Sequence, residues 1–298
     1  MAESIVEVAG LHKAYGGVEA LRGLDLQVPA GAICGLLGRN GAGKTTALKI
    51  LLGATRPDGG AAHVFGLSAA EPAASVEIRR RTGFVSEEKD LYPVMTVAEI
   101  VRFTAAFFPL WRHDLQERYL RRFDLPPERK VRALSRGMRT KLALLLALCH
   151  GAELLVLDEP TSDLDPASVE EVLQALVSHV ASEELTVLFS THQIADVEQI
   201  ADHVAIVDRG RTVVAGPLDD LRSSFCRVRI VFDGEAPAAT FDVPGAGRVR
   251  REGRVLSVLS RDGADPVVAQ ARALGPSSVE VLPLTLKEIF LESVAGEG

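Results

Sequence analysis

Cysteine is scarce in this chain, and what there is lies scattered. Cys34, Cys149 and Cys226 form no C-x-x-C pair, and each sits in an apolar segment. A disulfide scaffold or zinc framework is therefore excluded as the basis of the fold, and buried, reduced thiols are the expectation. Basic charge is short as well. The formal net charge is -7, which argues against wholesale binding of DNA or RNA but leaves room for a small basic pocket around phosphates. Long apolar runs are missing too. The longest, Leu142 to Cys149, stops at His150, whereas a bilayer-crossing helix needs roughly 20 apolar residues. Met1 to Gly10 carries Glu3 and Glu7 with no basic flank, so it does not read as a signal peptide. A role at a membrane would need a partner to supply the membrane.

What is present is enough for one large core, or one large and one small: 298 residues, 47% of them hydrophobic. Ile5, Val6 and Val8 suggest an opening strand, and Leu24 to Val28 a second, ending at Pro29-Ala30-Gly31. Ala32 to Leu37 reads as a buried strand that runs into a glycine-rich loop, Gly38 to Gly43, and a helix from Lys44 to Leu52. A turn follows at residues 56–60. Most of the stretch to residue 140 reads as helix, with a capping-box spacing at Thr96 and Glu99. Leu154 to Leu157 and Thr186 to Ser190 read as buried strands, and Asp165 with Pro166 opens a helix between them. Val204 to Val207 and Thr212 to Val214 flank a tight turn. This first unit, residues 1–221, is α/β with a helical subdomain at about 86–140. Residues 222–298 change character: short alternating runs at 228–232, 248–250, 255–259 and 279–282, and helices at 266–274 and 286–294, predict a small α+β accessory domain. No internal repeat is visible.

The loop Gly38-Arg39-Asn40-Gly41-Ala42-Gly43-Lys44-Thr45 fits G-x-x-x-x-G-K-[ST]. It follows a strand and opens a helix, as a phosphate loop must. Glycines at 38, 41 and 43 let the backbone aim N–H groups at phosphate oxygens, and the helix start adds positive potential. Lys44 would neutralise the β- and γ-phosphates, Thr45 would ligate Mg²⁺, and Asn40 and Thr46 belong to the same cradle. Downstream, Leu154-Leu155-Val156-Leu157-Asp158-Glu159 brings two acids to the end of a buried strand. Asp158 suits the Mg²⁺ shell, and Glu159 suits a general base acting on water.

Together these residues resemble the ATP-binding cassette family, over roughly residues 4 to 220. Leu134-Ser135-Arg136-Gly137-Met138 is similar to its signature motif, Ser190-Thr191-His192 to its switch-histidine segment, and Ser162-Asp163-Leu164-Asp165 to the loop after its catalytic glutamate. The resemblance implies a P-loop NTPase fold that binds ATP with Mg²⁺ and hydrolyses it. It implies catalytic roles for Glu159, His192 and Glu87, with Glu87 also near the metal. Ser135 and Gly137 would reach the nucleotide of a second cassette, so that two chains pair head to tail when ATP is bound. Tyr15 stands where the family stacks an aromatic on adenine; a core aromatic is the alternative. Four positions depart from the family: Arg136 for glycine, Met138 for glutamine, Arg39 for proline and Glu87 for glutamine.

The Ser-Arg-Gly-Met signature, Glu87 and the ending Leu286 to Leu291 resemble the ATPase subunits of two-component bacterial exporters. The implied partner is a transmembrane permease, and the implied location is the cytoplasmic face of the cell membrane. The alternative class, a soluble cassette ATPase acting on ribosomes or DNA, would carry tandem cassettes, long coiled-coil insertions or zinc cysteines. No nucleic-acid partner is expected.

Overall fold

The computed structural model describes residues 3–162, 164–183 and 185–294, so Asp163 lies outside the described residues. Two compact units emerge, divided between Ala215 and Gly216.

The first unit opens on an antiparallel hairpin, β1 (Ser4–Tyr15) and β2 (Val18–Pro29). Both strands are longer than the short runs expected, and they turn at Gly16 and Gly17, each with positive φ. Next come β3 (Ile33–Gly38), α1 (Lys44–Leu51), β4 (Gly59–Val64), β5 (Leu67–Ser68), α2 (Pro72–Arg81) and β6 (Thr82–Val85). β2, β1, β4 and β5 make a four-stranded sheet in that order. Gly60, expected in a turn, lies inside β4 instead. Its φ is 79°, and an added Cβ would stand 2.1 Å from the Gly10 carbonyl oxygen, so only glycine fits this close approach.

The helical subdomain holds α3 (Val97–Ala105), α4 (His113–Arg122) and the start of α5 (Arg136–Leu148). The expected capping box is present. Glu99 N donates to Thr96 Oγ1 at 3.2 Å, and Thr96 N donates to Glu99 Oε2 at 2.8 Å. Tyr119 and Phe123 stack 5.2 Å apart, both buried, and Trp111 joins them in the interior. Phe107 and Leu110, close to Trp111 in sequence, are exposed.

The remainder of the unit alternates: β7 (Leu154–Asp158), α6 (Pro166–Glu183), β8 (Thr186–Thr191), α7 (Ile194–Ile200), β9 (His203–Asp208) and β10 (Arg211–Pro217). The second sheet is six-stranded, in the order β10-β9-β3-β8-β7-β6, and β6, β7, β8, β3 and β9 pair in parallel. Every residue of β3, β7 and β8 is buried. Strands covered on both faces read as unbroken apolar runs, which is why they are plain in the sequence. The register sets Asp158 beside Ser190 and Leu37 beside Thr191. The carboxyl ends of β3, β7 and β8 therefore finish abreast, where open α/β sheets bind ligands.

The second unit contains α8 (Leu218–Ser224), β11 (Cys226–Val231), β12 (Ala246–Glu252), β13 (Val255–Ser260), α9 (Asp265–Arg272), β14 (Ser278–Pro283) and α10 (Leu286–Val294). α8 thus groups with this unit, before the boundary expected at residue 221. Its sheet is four-stranded and antiparallel, ordered β12-β13-β11-β14. Val228, Ile230, Leu256, Val258, Val267 and Ala271 form its own core. A chain ending at Pro217 should consequently keep a cooperative thermal transition. Loss of that transition in calorimetry would show that the first unit depends on the second.

All three cysteines are free and buried. Burial pushes the thiols of Cys34 and Cys149 up to about 12, so neither is a reactive thiolate at neutral pH.

Candidate functional site

The loop from β3 to α1 is shaped by its glycines. Gly41 and Gly43 have φ of 80° and 105°, and an added Cβ at Gly43 would stand 2.6 Å from the Ala20 carbonyl oxygen. The loop is also anchored from outside, since Gly210 N donates to the Ala42 carbonyl at 2.9 Å. Lys44, the first residue of α1, is 6% exposed. Its ammonium has three N–H bonds to place. It donates to the Gly38 carbonyl at 2.8 Å and the Arg39 carbonyl at 3.3 Å, and pairs with Glu159 Oε1 at 3.1 Å.

Asp158 ends β7 and is 2% exposed. Its Oδ1 accepts from Ser190 Oγ at 2.5 Å and from Thr45 Oγ1 at 3.2 Å. The side-by-side register of β7 and β8 makes the Ser190 contact, and the start of α1 supplies Thr45. Hydroxyl and carboxylate oxygens thus meet at one point beside the phosphate loop.

Glu159 follows at once, with φ of 48°. The left-handed region costs a non-glycine residue about 1–2 kcal/mol, and such strain persists only where the surroundings fix it. Glu159 N donates to Ser190 O and Oγ, both at 3.1 Å. Its side chain is buried, with Oε1 on Lys44 and Oε2 at 2.9 Å from His192 Nδ1. Lys44 and His192, chosen from sequence, thus meet at the Glu159 carboxylate, and Asp158, also chosen, adjoins it in the chain and binds Thr45 and Ser190.

The other sequence-chosen residues are placed as follows. Glu87, in the loop after β6, lines a cleft of ≈670 Å³ together with Thr45 and Asp158. Asn40 and Gly41 are exposed, and Thr46 is half-buried on α1. Tyr15 ends β1, 47% exposed, with the Lys13 ammonium 5.4 Å from its ring centre. Ser135 caps α5: its Oγ accepts from Met138 N at 3.1 Å. Gly137 is in the first turn, where an added Cβ would lie 3.4 Å from Ser168 Oγ. Neither Ser135 nor Gly137 hydrogen-bonds to the Lys44–Glu159 cluster among the described residues.

Sequence reasoning missed Ser190 as a partner of Asp158, and it missed Thr161, Asp196 and Lys89. Asp196 is 3% exposed and accepts from the hydroxyls of Thr161 and Thr191. This ties the chain after Glu159 to the end of β8, just before His192. Burial raises the Asp196 carboxyl above the ordinary carboxylate range, partly offset by those two hydrogen bonds. With the folded value raised, its contribution to stability is full below the unfolded pKa and is lost as pH rises through the folded value. Asp196→Asn keeps an acceptor but removes the buried charge. Its thermal midpoint relative to the wild type should therefore rise as pH is brought from about 3, below the ordinary Asp value of about 3.9, up to neutrality. A difference that stays flat or falls over that range would contradict this.

The family described as ABC transporter matches residues 21–162. The chain is 35% identical to "Nod factor export ATP-binding protein I" of Ralstonia nicotianae, over 90% of this chain and 85% of that one. It is 33% identical to "Daunorubicin resistance ATP-binding protein DrrA3" of Streptomyces coeruleorubidus, over 99% of this chain and 95% of that one. A solved structure, "ATP binding subunit of ABC transporter", superposes with a TM-score of 0.66 at 30% identity, covering 73% of this chain and 92% of that one.

Proposed function

We infer the role of this chain from one premise: it belongs to the ABC transporter family, as an ATP-binding and ATP-hydrolysing subunit that powers a separate permease. Among the described residues no helix is long and apolar enough to cross a membrane. The permease would supply the membrane part and hold this chain at the cytoplasmic face. Relatives named for Nod factor export and daunorubicin resistance favour export as the direction. An action on ribosomes or DNA has no comparable support.

The observation that carries the chemical reading is the buried Glu159 carboxylate, held between Lys44 and His192 at the ends of parallel strands. ATP phosphates would lie on the backbone N–H groups of residues 38–45, with Lys44 exchanging Glu159 for phosphate oxygen. Thr45 and Asp158, 3.2 Å apart, are hard oxygen donors of the kind Mg²⁺ takes with few protein ligands, and Glu87 on the same cleft adds a third. Mg²⁺ held there would supply positive charge to offset the charge that develops in phosphoryl transfer. Glu159 would orient water and take its proton, and His192 would hold Glu159 and meet the γ-phosphate. Ser135 and Gly137, at the start of α5, would approach the phosphates of a second copy, giving an ATP-bound homodimer with two composite sites. Tyr15, half-exposed, would stack on adenine.

His192→Ala should lower ATP turnover at least tenfold with little change in ATP affinity, because it removes one of the two side chains that hold the Glu159 carboxylate among the described residues. Steady-state phosphate release checks it, and turnover within twofold of wild type would remove His192 from the reaction. The transport reading is tested by purifying the chain with its permease. ATPase activity should be stimulated by the exported compound, and indifference of the rate to the permease would count against it.

A further inference from the structure

Two non-glycine residues with left-handed backbone meet in the catalytic cluster. Glu159 has φ of 48° and Lys89 has φ of 50°. One hydrogen bond joins them: Lys89 Nζ donates to the Glu159 carbonyl oxygen at 3.0 Å. The turn that aims Lys89 inward is closed by Lys89 N donating to the Ser86 carbonyl at 3.2 Å. Lys89 is half-buried, in the loop between β6 and α3 that also carries Glu87 and lines the cleft beside Asp158.

The Glu159 peptide has other holders, but they come from nearby chain or from the sheet. Its N–H is fixed by Ser190, at the end of β8. Its carbonyl also accepts from Ser162 Oγ at 3.0 Å and from Ser162 N at 3.4 Å, three residues along the same segment. Lys89 reaches the carbonyl from a different loop and brings a full charge, so its bond is the strongest of the three. A strained peptide aimed into a reaction depends on such outside support.

We propose that Lys89 is a positioning residue for the hydrolytic base: its ammonium holds the Glu159 carbonyl and so fixes the turn that directs the Glu159 carboxylate. A shift of the 86–90 loop then moves the base directly. This rests on Glu159 being the base.

The test uses the full-length chain with Mg²⁺ and ATP, comparing Lys89→Met, Lys89→Gly and Lys89→Arg, with Glu159→Gln run alongside. Lys89→Met should lower kcat about tenfold while the KM for ATP stays within twofold, because the residue acts on the base and not on the nucleotide. Lys89→Gly relieves the left-handed backbone but also loses the ammonium, so it should match Met. Lys89→Arg should recover most of the lost rate. Thermal transitions of all variants show whether each is folded. A kcat for Lys89→Met at the wild-type level, with Glu159→Gln inactive, would overturn the Lys89 assignment alone. So would a glycine variant at full rate, or a KM that rises as much as kcat falls. Glu159→Gln at the wild-type rate would instead overturn the base itself, and Lys89's role with it.

Discussion

Glu159→Gln should reduce ATP turnover by roughly 10²–10⁴-fold, the range a general base contributes, while leaving ATP binding intact. The amide keeps the size of the carboxylate and can still accept from Lys44, so the buried turn at residue 159 has no reason to collapse. What it loses is the charge that takes a proton from water. It also weakens the hold on Lys44, which in the wild type pairs with Glu159 at 3.1 Å and must exchange that partner for phosphate. ATP affinity should thus be unchanged or higher, and the variant should accumulate as a dimer with ATP trapped inside. Phosphate release and size-exclusion chromatography with ATP read both effects. Turnover within threefold of wild type would remove Glu159 as the base.

Lys44→Ala should cost about 10- to 100-fold in ATP affinity, the worth of a charged hydrogen bond of roughly 1.5–3 kcal/mol. The loss falls on binding because Lys44 supplies the charge in the floor of the loop, where Gly38 and Arg39 offer only carbonyls to it. A second effect accompanies it. Without Lys44, the buried Glu159 carboxylate keeps His192 alone of its two partners among the described residues, and a buried charge that loses a partner is destabilising. The thermal midpoint should fall as well, so affinity must be read on the folded fraction. A nucleotide titration that gives wild-type affinity in a folded variant would contradict the assignment of the phosphate loop.

The parts of this fold that show in the sequence are those where one physical cause dominates. β3, β7 and β8 are buried on both faces, so their middles, such as residues 154–157 and 187–189, are unbroken apolar runs. The phosphate loop shows because its glycines fill positions that a side chain cannot, as at Gly43. The cap of α3 shows because Thr96 and Glu99 answer each other locally. The outer halves of β1 and β2 stay hidden, since charged or polar residues fall on both faces, exposed at His12 and Arg22 and half-buried at Lys13, and blur the alternation. β4 opens on Gly59 and Gly60, which look like a turn until the approach of Gly10 is seen. In the site, the chemistry-bearing residues could be named from motifs, but their partners could not. Ser190 reaches Asp158 through the β7–β8 register, Asp196 ties Thr161 to Thr191, and Lys89 reaches Glu159 from another loop. No spacing along the chain encodes contacts that only the tertiary fold creates.

ATP hydrolysis by this chain, at a site proposed above to be completed by a second copy, has a direct test. That test is phosphate release by the full-length protein, followed at saturating Mg²⁺ and ATP over a range of protein concentrations. Release should require Mg²⁺, and the rate per chain should rise with concentration until pairing is complete. A folded chain that binds ATP yet releases no phosphate, alone or with its permease, would contradict the account, as would a rate per chain that stays constant down to the lowest concentration.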